Sequence, residues 1–308
     1  MNQPRNRIIF RLALLAVSAS IGCSGQDAEI RSRIVIEPEQ ITVDSAATDR
    51  RIVILDVRTL DAYDAGHLTR AVHVDPHEWK QASLAADEGI ENADEWSRRI
   101  GDLGIDANTP VRIYDDGSMN DAARVWFILQ LFGVTDATVL NGGWAAIAAA
   151  PDNQRPAVSR THHRPKARHF TARPVLKSRP VQIQDRAEVR SAIEDRSVQI
   201  LDARTPGEFR GEITHNNPRA GHLPGALNLP HANLMTPDGR LRSPDELAVI
   251  FEKAGFVRGR PIVTYCESGG RASIAAIAAL HAGFGPVTNY YRSYSDWSRD
   301  AACPVIGD

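Results

Sequence analysis

The chain has 308 residues, 43% of them apolar and 24% charged, and a net charge of −2. That length exceeds the comfortable size of one hydrophobic core and predicts two domains of ordinary soluble composition. A charge so near balance gives no electrostatic case for nucleic acid, and no residue pattern calls for a metal or cofactor.

At the start of the chain, Arg5 and Arg7 precede a mostly apolar stretch over 8–21 that Arg11 interrupts. It is too short and too broken for a spanning helix, and it suits the charged and apolar regions of an export signal over 1–23. The stretch ends at Ser20-Ile21-Gly22-Cys23, which is similar to a bacterial lipoprotein processing site. Cleavage after Gly22 would leave Cys23 to carry lipid and hold the protein at a membrane. Ser20 departs from the large aliphatic residue usual at that place, which leaves plain secretion or a retained anchor open. Residues 24–33 read as a polar tether. The expected location is therefore the periplasm or cell envelope.

Residues 34–150 hold strands expected at 51–55, 111–114 and 138–140, with a helix over 121–132. A basic, proline-containing segment, 151–179, follows and reads as an extended, solvated linker. It lacks the aromatic interleaving of a polyanion site. His162, His163 and His169 lack the cysteines or carboxylates of a metal site. Residues 180–308 repeat the earlier order, with strands at 199–201, 261–265 and 287–290 and a helix over 272–282. Strands alternating with helices predict an α/β fold, each half a mainly parallel sheet with helices on both faces.

The repetition extends to motifs. Ile54-Leu55-Asp56-Val57-Arg58 matches Ile200-Leu201-Asp202-Ala203-Arg204, and Gly66-His67-Leu68 matches Gly221-His222-Leu223. Arg112-Ile113-Tyr114-Asp115 aligns with Val263-Thr264-Tyr265-Cys266, and Asn141–Trp144 with Tyr291–Tyr294. The spacing corresponds to a duplicated unit of about 150 residues, a normal domain size.

The copies differ at the end of the central strand. In the second half, Tyr265-Cys266-Glu267-Ser268-Gly269-Gly270-Arg271 leads from a strand into an alanine-rich helix. Free amides and the positive helix end at such a place favour an anion, and the same field favours a thiolate over a thiol. Gly269 and Gly270 let the loop turn its amides inward, and Arg271 adds a fixed positive charge. The pattern points to chemistry on sulfur or phosphorus.

This loop, with its strand and helix, resembles the active-site loop of the rhodanese family, the thiosulfate and 3-mercaptopyruvate sulfurtransferases. Six residues from Cys266 to Arg271 suit sulfur, whereas the related phosphatases carry one residue more. The resemblance covers both halves and implies two rhodanese-like domains, 34–150 and 180–308. Asp115 stands in the place of Cys266 in the first, where it cannot carry sulfur. It implies that the first domain is inactive and walls the cleft. A nucleophilic or metal-binding Asp115 would lack a histidine partner.

The resemblance assigns Cys266 as nucleophile and persulfide carrier. Glu267, Ser268, Gly269 and Gly270 would supply loop amides, and Arg271 would meet the sulfonate of the donor. Asp202, Arg204 and His222 recur as Asp56, Arg58 and His67 in the inactive copy, which favours a structural role near the site. Glu208 occupies a position where mercaptopyruvate enzymes and their vertebrate thiosulfate relatives place a substrate-binding arginine, and the loop lacks the Cys-Gly-Ser/Thr-Gly-Val-Thr form of the mercaptopyruvate enzymes. Glu267 opposes thiolate formation unless it points outward. Tyr290, Tyr291, Tyr294 and Trp297 either shield the persulfide or form core. Cys303 either pairs with Cys266, which would abolish transfer, or stays free; a role in accepting sulfur is open. The implied activity moves sulfur from thiosulfate to cyanide or a thiol. A 3-mercaptopyruvate enzyme and a noncatalytic sulfur-binding or sensing envelope protein are the alternatives. The oligomeric state is left open.

Overall fold

The computed structural model describes residues 34–307, apart from 47–50, 86–88, 174–180 and 184. The export signal, Cys23 and the tether lie outside the described residues.

Each half builds one five-stranded parallel sheet. In the first, β1 (Val35–Ile36), α1 (Pro38–Ala46), β2 (Val53–Asp56), α2 (Leu60–Ala65), β3 (His67–Leu68) and β4 (Val72–His73) come in order. They are followed by α3 (Pro76–Leu84), α4 (Ala93–Asp102), β5 (Val111–Tyr114), α5 (Asn120–Phe132), β6 (Ala137–Leu140) and α6 (Gly143–Ala149). After β7 (Val158–Ser159), the second half runs β8 (Val181–Ile183), α7 (Arg186–Glu194), β9 (Gln199–Asp202), α8 (Pro206–Phe209) and β10 (Ala226–Asn228). It ends with α9 (Pro244–Lys253), β11 (Ile262–Tyr265), α10 (Gly270–His281), β12 (Val287–Asn289) and α11 (Ser293–Trp297). The strand orders, β4-β2-β5-β6-β1 and β10-β9-β11-β12-β8, are the same topology twice.

The central strands are buried on both faces because their apolar runs face helices on either side. All four residues of β9 and of β11 are buried. The inner faces of the two sheets share one continuous core, in which α5 and α10 pack across the domain boundary. Phe127, Ile128, Ile274 and Ile277 are all at most 1% exposed there. Each such side chain contributes roughly 1.5–3 kcal/mol of burial. Separate clusters cover the outer faces. The domains are thus joined through core, and the end of α5 comes to lie beside the end of α10.

The repeated motifs build one frame in each copy. Arg58 and Arg204 clamp Asp56 and Asp202 bidentately and also donate to the carbonyls of Gly66 and Gly221. The hydroxyls of Tyr114 and Tyr265 donate to the same carboxylates, and Trp144 and Tyr294 lie 4.0 Å from the respective guanidinium carbons. His67 stacks on Tyr63 and His222 on Phe209, each at 3.7 Å, with Nδ1 on the carbonyl of that same ring residue. These groups tie the second βα turn to the sheet.

The linker is less free than its composition suggests. β7 pairs antiparallel with β3, Arg168 donates its amide to Gly101, and Phe170 is buried in the first domain's core. Its basic side chains remain mostly exposed, but a single buried aromatic and a few backbone bonds bind the segment 158–173 down as a strap. Charge composition does not register such point anchors.

Candidate active site

Cys266 follows the last residue of β11, at the carboxyl end of the central strand of the second sheet. It is 1% exposed, and the thiols of Cys266 and Cys303 are both free. The loop is short because Gly269, the residue capping α10, takes φ +93°, and its Cα is wedged against Tyr291. A Cβ there would stand 2.7 Å from the Tyr291 carbonyl oxygen, so only glycine fits. The turn brings the Gly269 amide to 3.1 Å from Cys266 Sγ. Behind the cysteine, Ser293 Oγ accepts the Cys266 amide at 3.1 Å and lies 4.0 Å from Sγ. Ser293 itself holds φ +59°, a conformation that the equivalent Gly143 adopts freely.

The charges near Sγ are arranged in pairs. Arg271 Nη1 and Nη2 donate to the two carboxylate oxygens of Glu208 at 2.8 and 2.7 Å. Glu208 is 2% exposed and also caps α8 through Thr205. Burial pushes its carboxyl up, but the bonds from Arg271 and Thr205 outweigh that and hold it at about 2. The Arg271 guanidinium is correspondingly raised; burial lowers it, and Glu208, the Cys266 sulfur and Asp202 more than compensate. His215 Nε2 lies 3.1 Å from Glu208 Oε1, the oxygen that Arg271 Nη2 also meets. Arg271 therefore lies in the field of the sulfur but is already engaged by a carboxylate. Asn217 Nδ2 holds both oxygens of Glu267 at 3.0 and 3.2 Å. That pins the acid that opposes thiolate formation.

The first domain reaches into this loop. Arg124, in the first turns of α5, donates to the Ser268 carbonyl at 2.8 Å and to the Tyr291 hydroxyl at 2.9 Å. Ser83 meets that hydroxyl from the other side at 2.7 Å. Asn120 and Arg124 lie against Gly270 so closely that a Cβ there would overlap the Asn120 Oδ1. Of the four aromatics, Tyr291 stacks on Phe127 across the boundary, while Tyr290, Tyr294 and Trp297 belong to the outer core. Cys303 is buried in that outer cluster, and burial pushes its thiol up.

Each half carries the same cradle, strand end to helix start, with the same two backbone anchors. Tyr294 and Ser295 donate to the carbonyls of Cys266 and Glu267, as Trp144 and Ala145 do to those of Asp115 and Asp116. With that geometry repeated, the sequence pattern of the rhodanese-like domain matches residues 41–150 and again 185–300. The chain belongs to the rhodanese family. It is 29% identical over 266 residues to a putative thiosulfate sulfurtransferase of Haloferax volcanii, covering 83% of this chain and 88% of that one. It is 27% identical over 263 residues to the 3-mercaptopyruvate sulfurtransferase of Escherichia coli K12, covering 81% and 86%. Among solved structures, the anaerobic ergothioneine biosynthesis enzyme of Chlorobium limicola superimposes with a TM-score of 0.76 at 22% identity, over 89% of this chain and 70% of that one. That likeness concerns the fold.

Within this rhodanese, the structure gathers Cys266, the amides of 267–271 and Arg271 at one point, with Asp202 and Arg204 beneath them and His222 farther along the frame. Sequence reasoning missed Arg124, Asn217 and Ser293. A single arginine inside the apolar run of α5 was a visible signal for the first. Asn217 and Ser293 have none, since their roles exist only after the chain folds back.

Proposed function

We propose that the protein is a thiosulfate sulfurtransferase working by double displacement through Cys266. The observation that carries this reading is the Gly269 amide directed at Sγ from a loop that opens a helix. The Cys266 thiolate attacks the outer sulfur of thiosulfate. A Cys–S–S bond forms, and the S–S bond of the donor breaks with its electron pair leaving on sulfite. The loop amides hold the persulfide anion, as they would any anion at a helix start. Cyanide then takes the terminal sulfur as thiocyanate, or a thiol takes it as its own persulfide, and the Cys266 thiolate returns. The buried Glu208 favours thiosulfate over 3-mercaptopyruvate, because it presents an acid where the carboxylate of mercaptopyruvate would need a cation. Arg271 keeps its outer N–H groups for the sulfonate oxygens.

Intact mass before and after thiosulfate tests the reading. The expected result is a gain of about 32 Da, absent in Cys266→Ser and discharged by cyanide with release of thiocyanate. An adduct formed with 3-mercaptopyruvate alone would move the assignment to the other donor. No adduct with either donor would leave a binding protein. We also propose that the chain is exported and lipidated at Cys23; labelled palmitate that enters wild type equally well as Cys23→Ser would rule this out.

A further inference from the structure

The first domain carries no sulfur-bearing cysteine in its loop, yet it places a buried cation against the catalytic loop of the second. α5 is apolar from Ala122 to Leu131 except for Arg124 and Gln130, and Arg124 is 2% exposed. Its hydrogen bonds go to neutral oxygens, the Ser268 carbonyl and the Tyr291 hydroxyl, and its Nε has no partner. The Tyr291 ring centroid lies 5.5 Å from the guanidinium carbon. A cation so placed is costly in a folded interior unless it orders something or faces an anion; the anion in its field is Asp121, at the start of the same helix.

What it orders is one peptide bond. The Ser268 carbonyl and the Gly269 amide belong to the same planar unit, and in a trans peptide they point in opposite directions. Arg124 takes the carbonyl, and the amide at the other side of the plane meets Cys266 Sγ at 3.1 Å. Gly269 lacks a Cβ, so its own backbone does little to resist rotation of that plane. A flipped peptide would turn a carbonyl dipole toward the sulfur and remove the donor. We propose that Arg124, contributed by the noncatalytic domain, is a positioning residue for the catalytic loop: it locks the Ser268–Gly269 peptide with its N–H on the sulfur.

The chemical consequence rests on the persulfide reading of Cys266, but the geometry can be probed without sulfur transfer. Other charges lie in or beside the same loop: Glu267 and Arg271 within it, Asp202 at the end of β9 with its partner Arg204 just beyond, and Glu208 from α8 against Arg271. His231, held below its usual range mainly by burial, faces Arg271 from the turn after β10. Tyr291 and Tyr294 approach from the segment after β12. These are common to wild type and Arg124 variants, so their titration cancels in a comparison; Asp121, which Arg124 holds down against burial, shifts with Arg124 itself and is matched by Arg124→Lys, which keeps the charge.

The experiment follows iodoacetamide alkylation of Cys266, read at its own peptide, in the full chain from neutral pH upward. Arg124→Met is expected to react about tenfold more slowly near pH 7, the effect of one lost charge-assisted hydrogen bond. The gap closes at high pH, where the thiol ionises in every variant. Arg124→Lys, which keeps a donor, recovers part of the rate. Ser83→Ala, which removes the opposite bond to Tyr291, keeps the wild-type profile. If Arg124→Met fails to fold, Arg124→Gln and Arg124→Lys carry the same comparison. Folded Arg124 variants with an unchanged profile would overturn the inference. Wild type that takes no sulfur from thiosulfate would instead sink the persulfide reading, and the alkylation comparison would still decide the role of Arg124.

Discussion

The two loops at the strand ends are the same device, filled differently. In the second copy, Sγ receives the Gly269 amide, and on the proposed function the loop binds an anion from outside. In the first, the loop is closed on an anion of its own. Asp115 accepts the amides of Gly117, Met119 and Ala122 and lies 3.4 Å from the Ser118 hydroxyl. Its helix also begins one residue later, at Asn120, capped by Met119 at φ +63°. The second copy pairs Arg271 with Glu208, whereas the first has Asp121 and Ala62 at the corresponding places. A nest of amides forms without the cysteine because the backbone, not the side chain, builds it. A carboxylate then occupies what a persulfide would.

The comparison is most sharply tested at the ion pair that one loop has and the other lacks. Glu208→Gln should cost about 3 kcal/mol at neutral pH, since it strands a largely buried guanidinium. Because folding depresses the Glu208 carboxyl to about 2, its stabilisation is complete above the ordinary carboxylate range and is lost as pH falls toward about 2. Urea midpoints of wild type and variant should therefore converge in acid. Equal stability at neutral pH would show that the pair is dispensable. The freed Arg271 should also lower the KM for thiosulfate.

Asp115 carries the opposite sign. Burial, helped by Asp116, pushes its carboxyl up to about 6 in spite of its amide bonds. Its contribution to stability is present below about 4, the unfolded range, and is lost as pH rises through about 6. Relative to wild type, Asp115→Asn should gain about 3 kcal/mol between acid and mildly basic pH. Persulfide formation should be unchanged. A large loss of transfer in this variant would mean that the first loop takes part in the chemistry.

The smallest effect is expected at Ser293. Replacing it by glycine, as at Gly143, relieves a strained φ worth about 1 kcal/mol and removes a hydrogen bond of similar worth. Stability should barely change while sulfur transfer slows, because the Cys266 amide loses its acceptor. Unfolding curves and thiocyanate assays on the same preparation separate the two outcomes.

Much of this was legible in the chain. The Asp-x-Arg and Gly-His-Leu repeats marked two copies, and the strand expected at 111–114 matches β5 residue for residue. The helix expected at 272–282 begins two residues earlier, at Gly270, because the glycine pair belongs to the cap and first turn. The frame roles of Arg204 and His222 followed from their recurrence beside an aspartate that cannot carry sulfur. What escaped was pairing at a distance. The sequence sets Arg271 toward the donor, and only the fold sets it against Glu208, 63 residues earlier.

The sequence by itself determined the duplication, the parallel sheets, the cysteine at a strand end and the glycines that let its loop turn. These follow from local periodicity and backbone freedom, which neighbouring residues express. Only the tertiary structure decided which charges are paired, that the linker is a strap, and that Arg124 of one domain holds a peptide of the other. Those facts depend on the α5–α10 packing, where a shared core brings together side chains that no spacing rule connects.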